Sequence, residues 1–303
     1  MKISFPPPHL CKERGAKIFF LTAAVSSVLI LGLITLHLFA EGAPLFAHLN
    51  PITDFLFNMD WYPTDEADPA FGILPLLVAS LAVTVLSALM AVPLGVMTAI
   101  YLSEIAPARV RGFIKPLVEL PAALPSVVLG FFGLVVVAPW LQDTFNVAVG
   151  LNLFTASLLL AFMSLPTICS IAEDALYAVP RDLKEASLAL GATNWETIIH
   201  VSVPGALSGI CTAVILGMSR AIGETMVTLM LAGGAAVIPA SLFDPVRPMP
   251  ASIAAEMAEA PFRSMHYHAL FAIGITLFLF TLAFNLLAAR AAHKYKRTGS
   301  ATL

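Results

Sequence analysis

Long apolar runs alternate with short polar stretches along this chain, and six of the runs reach the roughly 20 residues that a helix needs to cross a bilayer. They fall at roughly 18–40, 73–102, 117–141, 147–171, 205–233 and 269–290. The pattern predicts an all-α integral membrane protein with six transmembrane helices. An N-terminal segment 1–17 precedes a transmembrane domain 18–290, and a tail 291–303 follows it. The two longest polar interruptions are a loop at 41–71 and an island at 172–204.

Composition agrees with this pattern. Of 303 residues, 59% are hydrophobic and 12% charged, and the mean hydropathy of +0.89 excludes a soluble globular domain. The leader MKISFPPPHLCKERGAK is basic, but the apolar run after it is longer than a signal peptide's hydrophobic region, so it reads as a retained anchor. Cys11, Cys169 and Cys211 form no short-spaced cluster and offer neither a disulfide framework nor a zinc site.

The placement of Lys and Arg says more than the net charge of -3. Lys2, Lys12, Arg14 and Lys17 precede the first run, and Arg109, Arg111 and Lys115 lie between the second and third. Arg181 and Lys184 lie between the fourth and fifth, and Arg290, Lys294, Lys296 and Arg297 close the sixth. The opposite side has Arg247 and Arg263, while Arg220 falls inside a run. The positive-inside rule then puts both termini and the island in the cytoplasm. The 41–71 loop carries Glu41, Asp54, Asp60, Asp65, Glu66 and Asp68 without a Lys or Arg, which fits the outer side.

The island reads as two short helices meeting at a glycine corner. Glu173, Asp174 and Pro180-Arg181-Asp182 suit the start of the first. Leu183, Ala186 and Leu190 recur at helical spacing, and Gly191 is placed to stop the helix in the left-handed conformation. Thr193-Asn194-Trp195-Glu196 forms a capping box, Trp195, Ile198 and Ile199 follow, and Pro204 is expected to end the second helix. Helix signals alone also fit an ordinary cytoplasmic connection.

Glu185-Ala186-Ser187, Gly191 and Val201-Ser202-Val203-Pro204 stand at the spacing of the EAA loop of ABC importer permeases, which this stretch resembles. Ser187 replaces the second alanine, and Val201 and Val203 replace Ile and Leu. The resemblance implies a cytoplasmic coupling helix that docks on an ATPase, with Glu185, Ala186, Ser187, Gly191 and Pro204 in the coupling set. No GxxxxGK[ST] pattern occurs in the chain, so ATP and its magnesium would be used by a partner and no cofactor is expected here.

Two charges interrupt the fifth run. Arg220 and Glu224 are four residues apart, which places them on one helix face and within pairing reach. Each costs about 2.5–3.5 kcal/mol at mid-membrane on an insertion scale. They serve either as an internal ion pair locking helices together or as a pathway site in which the guanidinium offers donors to an oxyanion. Glu119 lies near the expected start of the third run, where Pro121, Pro125, Gly130, Gly133 and Pro139 break the helix. Ser126 either donates to a substrate or bonds its own helix. His266-Tyr267-His268 lacks a convincing ligand set and reads as an interfacial stretch, not a metal site.

The segments LPAALPSVVLGFFGLVVVAPW, MSRAIGETMVTLMLAGG and ASIAAEMAEA, together with the island, look like the phosphate-specific transport (Pst) permeases, the PstC type more than PstA. The resemblance covers about 20–290 and implies the type I ABC importer permease fold. It implies a PstA-type permease as partner, two ATP-binding subunits, an external phosphate-binding protein and alternating access driven by ATP. It assigns Arg220 and Glu224 to phosphate passage, with Ser126 and Glu119 as further candidates along the translocation path. The expected setting is the cell membrane of a prokaryote, among lipid and with no nucleic acid partner. Four rivals stand beside it: a permease for sulfate, molybdate or phosphonate, a purely regulatory role that senses phosphate without carrying it, a proton-coupled carrier using Glu224, and an intramembrane enzyme. The last has no HExxH pattern and no nucleophile with a base to support it.

Overall fold

The computed structural model describes residues 8–48, 52–65 and 68–301. Lys2, Glu66 and the last two residues lie outside them. Six helical segments are long and apolar enough to cross a membrane: Ala16–Phe46, Leu74–Ile105, Ser126–Phe145, Leu153–Tyr177, Asn194–Ile222 and Met265–Leu286.

In chain order, α1 (Pro8–His48) and α2 (Ile52–Phe57) lead into a two-residue hairpin, β1 (Trp61–Tyr62) with β2 (Ala70–Phe71). Next come α3 (Leu74–Ile100), which runs into a π-turn over Tyr101–Ile105, and α4 (Ala108–Ala123). The third span is assembled from α5 (Ser126–Phe132), a π-turn and α6 (Ala138–Phe145). The fourth is α7 (Leu153–Tyr177), capped by the Asn152 side chain, which accepts from the Thr155 N–H. Beyond it lie α8 (Arg181–Ala189), α9 (Asn194–Thr197), a π-turn over Ile198–Ser202 and α10 (Val203–Ile222). The chain finishes with α11 (Met226–Leu231), α12 (Met249–Glu256) and α13 (Met265–Ala301).

Four boundaries depart from the sequence expectation. Residues 108–123 form a separate helix and the third span starts at Ser126, because Leu124, which precedes Pro125, is held extended at φ −82°, ψ 139°. The fourth span continues to Tyr177, so Glu173 and Asp174 belong to its end and do not start the island's helix. The second island helix is not short: it continues through the π-turn into the fifth span. Pro204 fails to end it because the wider π-turn just before removes the need for a proline N–H at that point. The fifth span stops at Ile222 rather than near 233.

Packing is layered along the bundle. At the acidic end, Leu45, Phe55, Trp61, Phe71, Met249 and Leu270 form one buried cluster. A middle cluster joins Val83 of α3, Leu129 of α5, Leu160 of α7, Ala221 of α10 and Val227 of α11. At the basic end, Leu102, Ala172, Leu176, Ala206 and Ile210 form the third. Cys169 is buried in this last layer and Cys211 is half-buried, and both are free thiols.

Candidate functional site: an interrupted helix and an exposed hairpin

The hairpin at the basic end is built by local rules. Gly191 sits at φ 91°, and its N–H donates to the Leu188 carbonyl while that of Ala192 donates to Ser187. This Schellman arrangement satisfies the carbonyls left open at the end of α8. The Thr193 hydroxyl accepts from the Glu196 N–H at 3.2 Å, and the Glu196 carboxylate accepts from the Thr193 N–H at 2.8 Å, completing the capping box. Ser187 Oγ bonds Thr197 Oγ1 at 3.0 Å across the corner. The result is a corner braced by hydrogen bonds on both sides of Gly191.

Helix α8 buries none of its residues. Glu185 and Ala186 are exposed, Ser187 is half-buried, and Leu190 and Trp195 are 90% and 62% exposed. Leu188 and Ile199 add to the same apolar tip, and Leu188 is a member that helical spacing from Leu183 did not single out. An apolar-tipped corner on polar helices has the chemistry of a surface able to dock a partner.

The interior site is organised by a break. Helix α10 ends at Ile222, Gly223 turns the chain at φ −93°, ψ 1°, and α11 restarts at Met226. The Glu224 N–H donates to Ala221, and the Glu224 carbonyl accepts from the Thr228 hydroxyl. Arg220 is exposed and Glu224 half-buried, and no ion pair joins them. The pairing that the four-residue spacing allows is therefore absent, because the helix needed for it stops two residues short of Glu224. Irregular backbone at this depth is tolerated where it lines a cavity or packs on protein; Ala221 and Val227 on either side of the break are buried in the middle cluster.

Helix α5 runs beside α11. A Cβ on Gly130 would lie 2.8 Å from Met230 Sδ, and one on Gly133 would lie 2.6 Å from Leu231 Cδ1, so two glycines set this close approach. Ser126 and Glu224 thereby sit near the starts of two adjacent helices. Among the described residues the Ser126 side chain has no hydrogen-bond partner, and the extended Leu124 separates it from the end of α4. Glu119 is not part of this grouping: it is exposed on α4, where its neighbour Val118 packs on the basic-end layer.

The most buried charge escaped sequence reasoning. Glu173 is 1% exposed on α7, with Lys115 Nζ of α4 3.0 Å from its Oε2. The contact is too oblique for a well-directed hydrogen bond, so the carboxylate is compensated in charge but incompletely bonded. This close polar contact raises the Lys115 pKa above the ordinary lysine value, with burial pulling the other way. At the acidic end, Glu256 accepts from Trp61 Nε1 and Arg247 Nη1 and shares a hydrogen bond of 2.8 Å with His266 Nε2. His268 Nδ1 instead bonds the Glu41 carbonyl, so the two histidines face different partners. Among the described residues no group of His, Cys, Asp and Glu is placed to hold a metal.

In fold the chain is similar to a chain of a bacterial ABC transporter involved in the import of the acidic polysaccharide alginate, with TM-score 0.63, 16% identity and coverage of 94% and 99%. It is also similar to the inward-facing MetNI methionine ABC transporter, with TM-score 0.58, 17% identity and coverage of 74% and 95%. Together with six apolar helices, this defines a multi-pass membrane protein with the type I ABC importer permease fold. A family model described as the binding-protein-dependent transport system inner membrane component matches residues 91–297. The chain belongs to that family. It is 40% identical over 256 residues to the probable ABC transporter permease protein YqgH of Bacillus subtilis (strain 168), covering 84% of this chain and 82% of that relative. It is 34% identical over 278 residues to the phosphate transport system permease protein PstC of Mesorhizobium japonicum, with 86% and 83% covered.

Proposed function

We propose that this chain is the PstC-type half of an ATP-driven importer of inorganic phosphate in a prokaryotic cell membrane. A PstA-type permease completes the pathway, two ATP-binding subunits engage the exposed corner, and an external binding protein delivers phosphate at the acidic end. Both termini and the corner face the cytoplasm, in keeping with the excess of Lys and Arg there.

The observation that carries the reading is Arg220, a guanidinium without a partner among the described residues, beside an interrupted membrane helix. A fork of donors left unpaired at such depth suits a planar or tetrahedral oxyanion. Glu224 and Ser126, close to the same break, would shape the path, while Glu119 belongs to its cytoplasmic approach. ATP binding closes the ATPases, the corner formed by Glu185, Ala186, Ser187 and Gly191 moves with them, and Pro204 and the π-turn carry the movement into the fifth span.

The test is uptake into liposomes containing the complex and its binding protein, comparing phosphate with sulfate and molybdate. Phosphate-selective uptake that requires ATP is expected. Uptake of a different anion would replace the cargo, and uptake driven by a proton gradient without ATP would replace the mechanism. Arg220→Gln is expected to lower uptake by about 10-fold or more, from the loss of a charged hydrogen bond, while the complex still assembles. Full uptake by that variant removes Arg220 from the path. Glu185→Lys is expected to weaken ATPase docking, and co-purification of the ATPase at the unaltered ratio would count against the coupling assignment.

A further inference from the structure

Three cations of the basic end are bound to protein groups. Arg111 donates from Nε to the Leu102 carbonyl at 2.7 Å and from Nη2 to Ser103 at 3.1 Å, both in the π-turn that ends the second span. Its guanidinium carbon lies 4.7 Å from the Tyr177 ring centroid at the end of α7. Lys115 ties α4 to α7 through Glu173. Lys184 donates to Glu104 Oε1 of the same π-turn at 2.7 Å and lies 3.5 Å from the Leu176 carbonyl.

The last pair differs from an ordinary surface ion pair. The Lys184 and Glu104 side chains are 21% and 10% exposed, so the pair is poorly screened. Helix α8 has no buried residue to hold it. Among the described residues, Ser187 bonds within the hairpin, and Lys184 supplies the side-chain hydrogen bonds that join α8 to α3's extension and α7. N-terminal to Glu104, α3 runs back through the bundle, where Ser87 and Ala91 line one small cavity with Gly217 and Ala221, the turn of α10 that carries Arg220. A π-turn at the junction is a place where a helix can shift register.

We propose that Lys184 and Glu104 are positioning residues of the transport cycle: their ion pair is the strut that carries displacement of the docking corner into the second span and so to the helix break at Arg220. The proposal rests on the importer reading above. Loss of the strut separates ATP turnover from import while leaving the corner, and hence ATPase docking, in place.

The decisive quantity is phosphate imported per ATP hydrolysed by the reconstituted complex. Lys184→Met and Glu104→Gln are each expected to lower it by about 2- to 30-fold, the range seen for mutations along coupling networks. Assembly and basal ATP hydrolysis stay at the unaltered level. The reversed pair, Lys184→Glu with Glu104→Lys, is expected to recover most of the ratio, which a general loss of folding would not allow. An unchanged ratio in both single variants overturns the strut, as does loss of ATPase from the complex without recovery in the reversed pair. An unaltered complex that imports no phosphate with ATP overturns the importer reading instead.

Discussion

Helices α1 and α7 are both long enough to cross a membrane, yet they sit in opposite surroundings. The most apolar stretch of α1 has no buried residue, whereas 61% of the corresponding stretch of α7 is buried, although α1 is the more hydropathic. In a water-soluble protein the order would be reversed. Lipid tails are as apolar as leucine, so an apolar face gains nothing by leaving them, and helices pack through small and polar residues instead. Helix α7 accordingly buries Thr155, Ser157, Ser164 and Glu173, and glycines of its neighbours close on its Ile168. Helix α1 reaches the bundle at one edge, where Gly42 meets α13 and His37 packs edge-on against Phe271 at 5.7 Å. The family match at 91–297 contains all of α7 and none of α1.

The largest effect should come from α7's buried charge. Lys115→Met leaves Glu173 uncompensated and is expected to cost about 3–5 kcal/mol. Glu173→Leu should cost much less, because Lys115, 35% exposed, can turn its ammonium to water. Unfolding in detergent, followed by intrinsic fluorescence, checks the asymmetry, and equal losses would mean that the pair matters only as a contact. Its pH dependence has a definite sign. The folded-state pKa of Lys115 is raised, so its contribution is complete below the ordinary lysine value of 10.5 and fades as pH climbs through the raised one. The Lys115 contribution to this difference should therefore be fully present at neutral pH and shrink only in strong alkali.

A smaller effect is expected where α10 meets α7. A Cβ on Gly217 would lie 2.4 Å from Ile168 Cγ1 and 2.8 Å from its Cδ1. Gly217→Val should cost about 1–3 kcal/mol by overpacking. Adding Ile168→Ala makes room, so the double variant should lose less than the sum of the two single losses. Additive losses would show that Gly217 is required for its backbone and not for the space it leaves.

How much of this was legible in the chain follows from the range of each signal. The Schellman corner at Gly191 and the capping box at Thr193 and Glu196 were, because their bonds close within five residues. Six spans were visible as well, since length and hydropathy alone define them. The break after Ile222 was not: Gly223 inside an apolar run looks like a tolerated helical glycine, which puts Arg220 and Glu224 on one continuous face. The extent of α4 was hidden similarly, by an apolar run that continues through Leu124 and Pro125. The pairs Lys115–Glu173 and Lys184–Glu104, and the Glu256 hub with Trp61, depend on elements brought together from 58, 80 and 195 residues away. No local pattern encodes such distances. In sequence, Glu173 looks like part of a solvated helix start, because Asp174 and Arg181 after it resemble one.

The smallest expected effect tests the other side of the comparison. Nothing lies within 4 Å of a Cβ built on Gly32, while one on Gly42 would lie 2.4 Å from Ile275 Cδ1 and 3.3 Å from the Ala272 backbone nitrogen. Gly32→Leu on the lipid-facing surface should therefore change stability by no more than about 0.5 kcal/mol. Gly42→Leu forces α1 away from α13, and should be seen as loss of a cysteine cross-link engineered between the two helices without loss of the remaining fold. If Gly32→Leu proved neutral in the isolated chain but harmful in the assembled complex, the bare face of α1 would be covered by a partner subunit. Its high hydropathy would then mark an interface, and the contrast with α7 would hold only for the chain by itself.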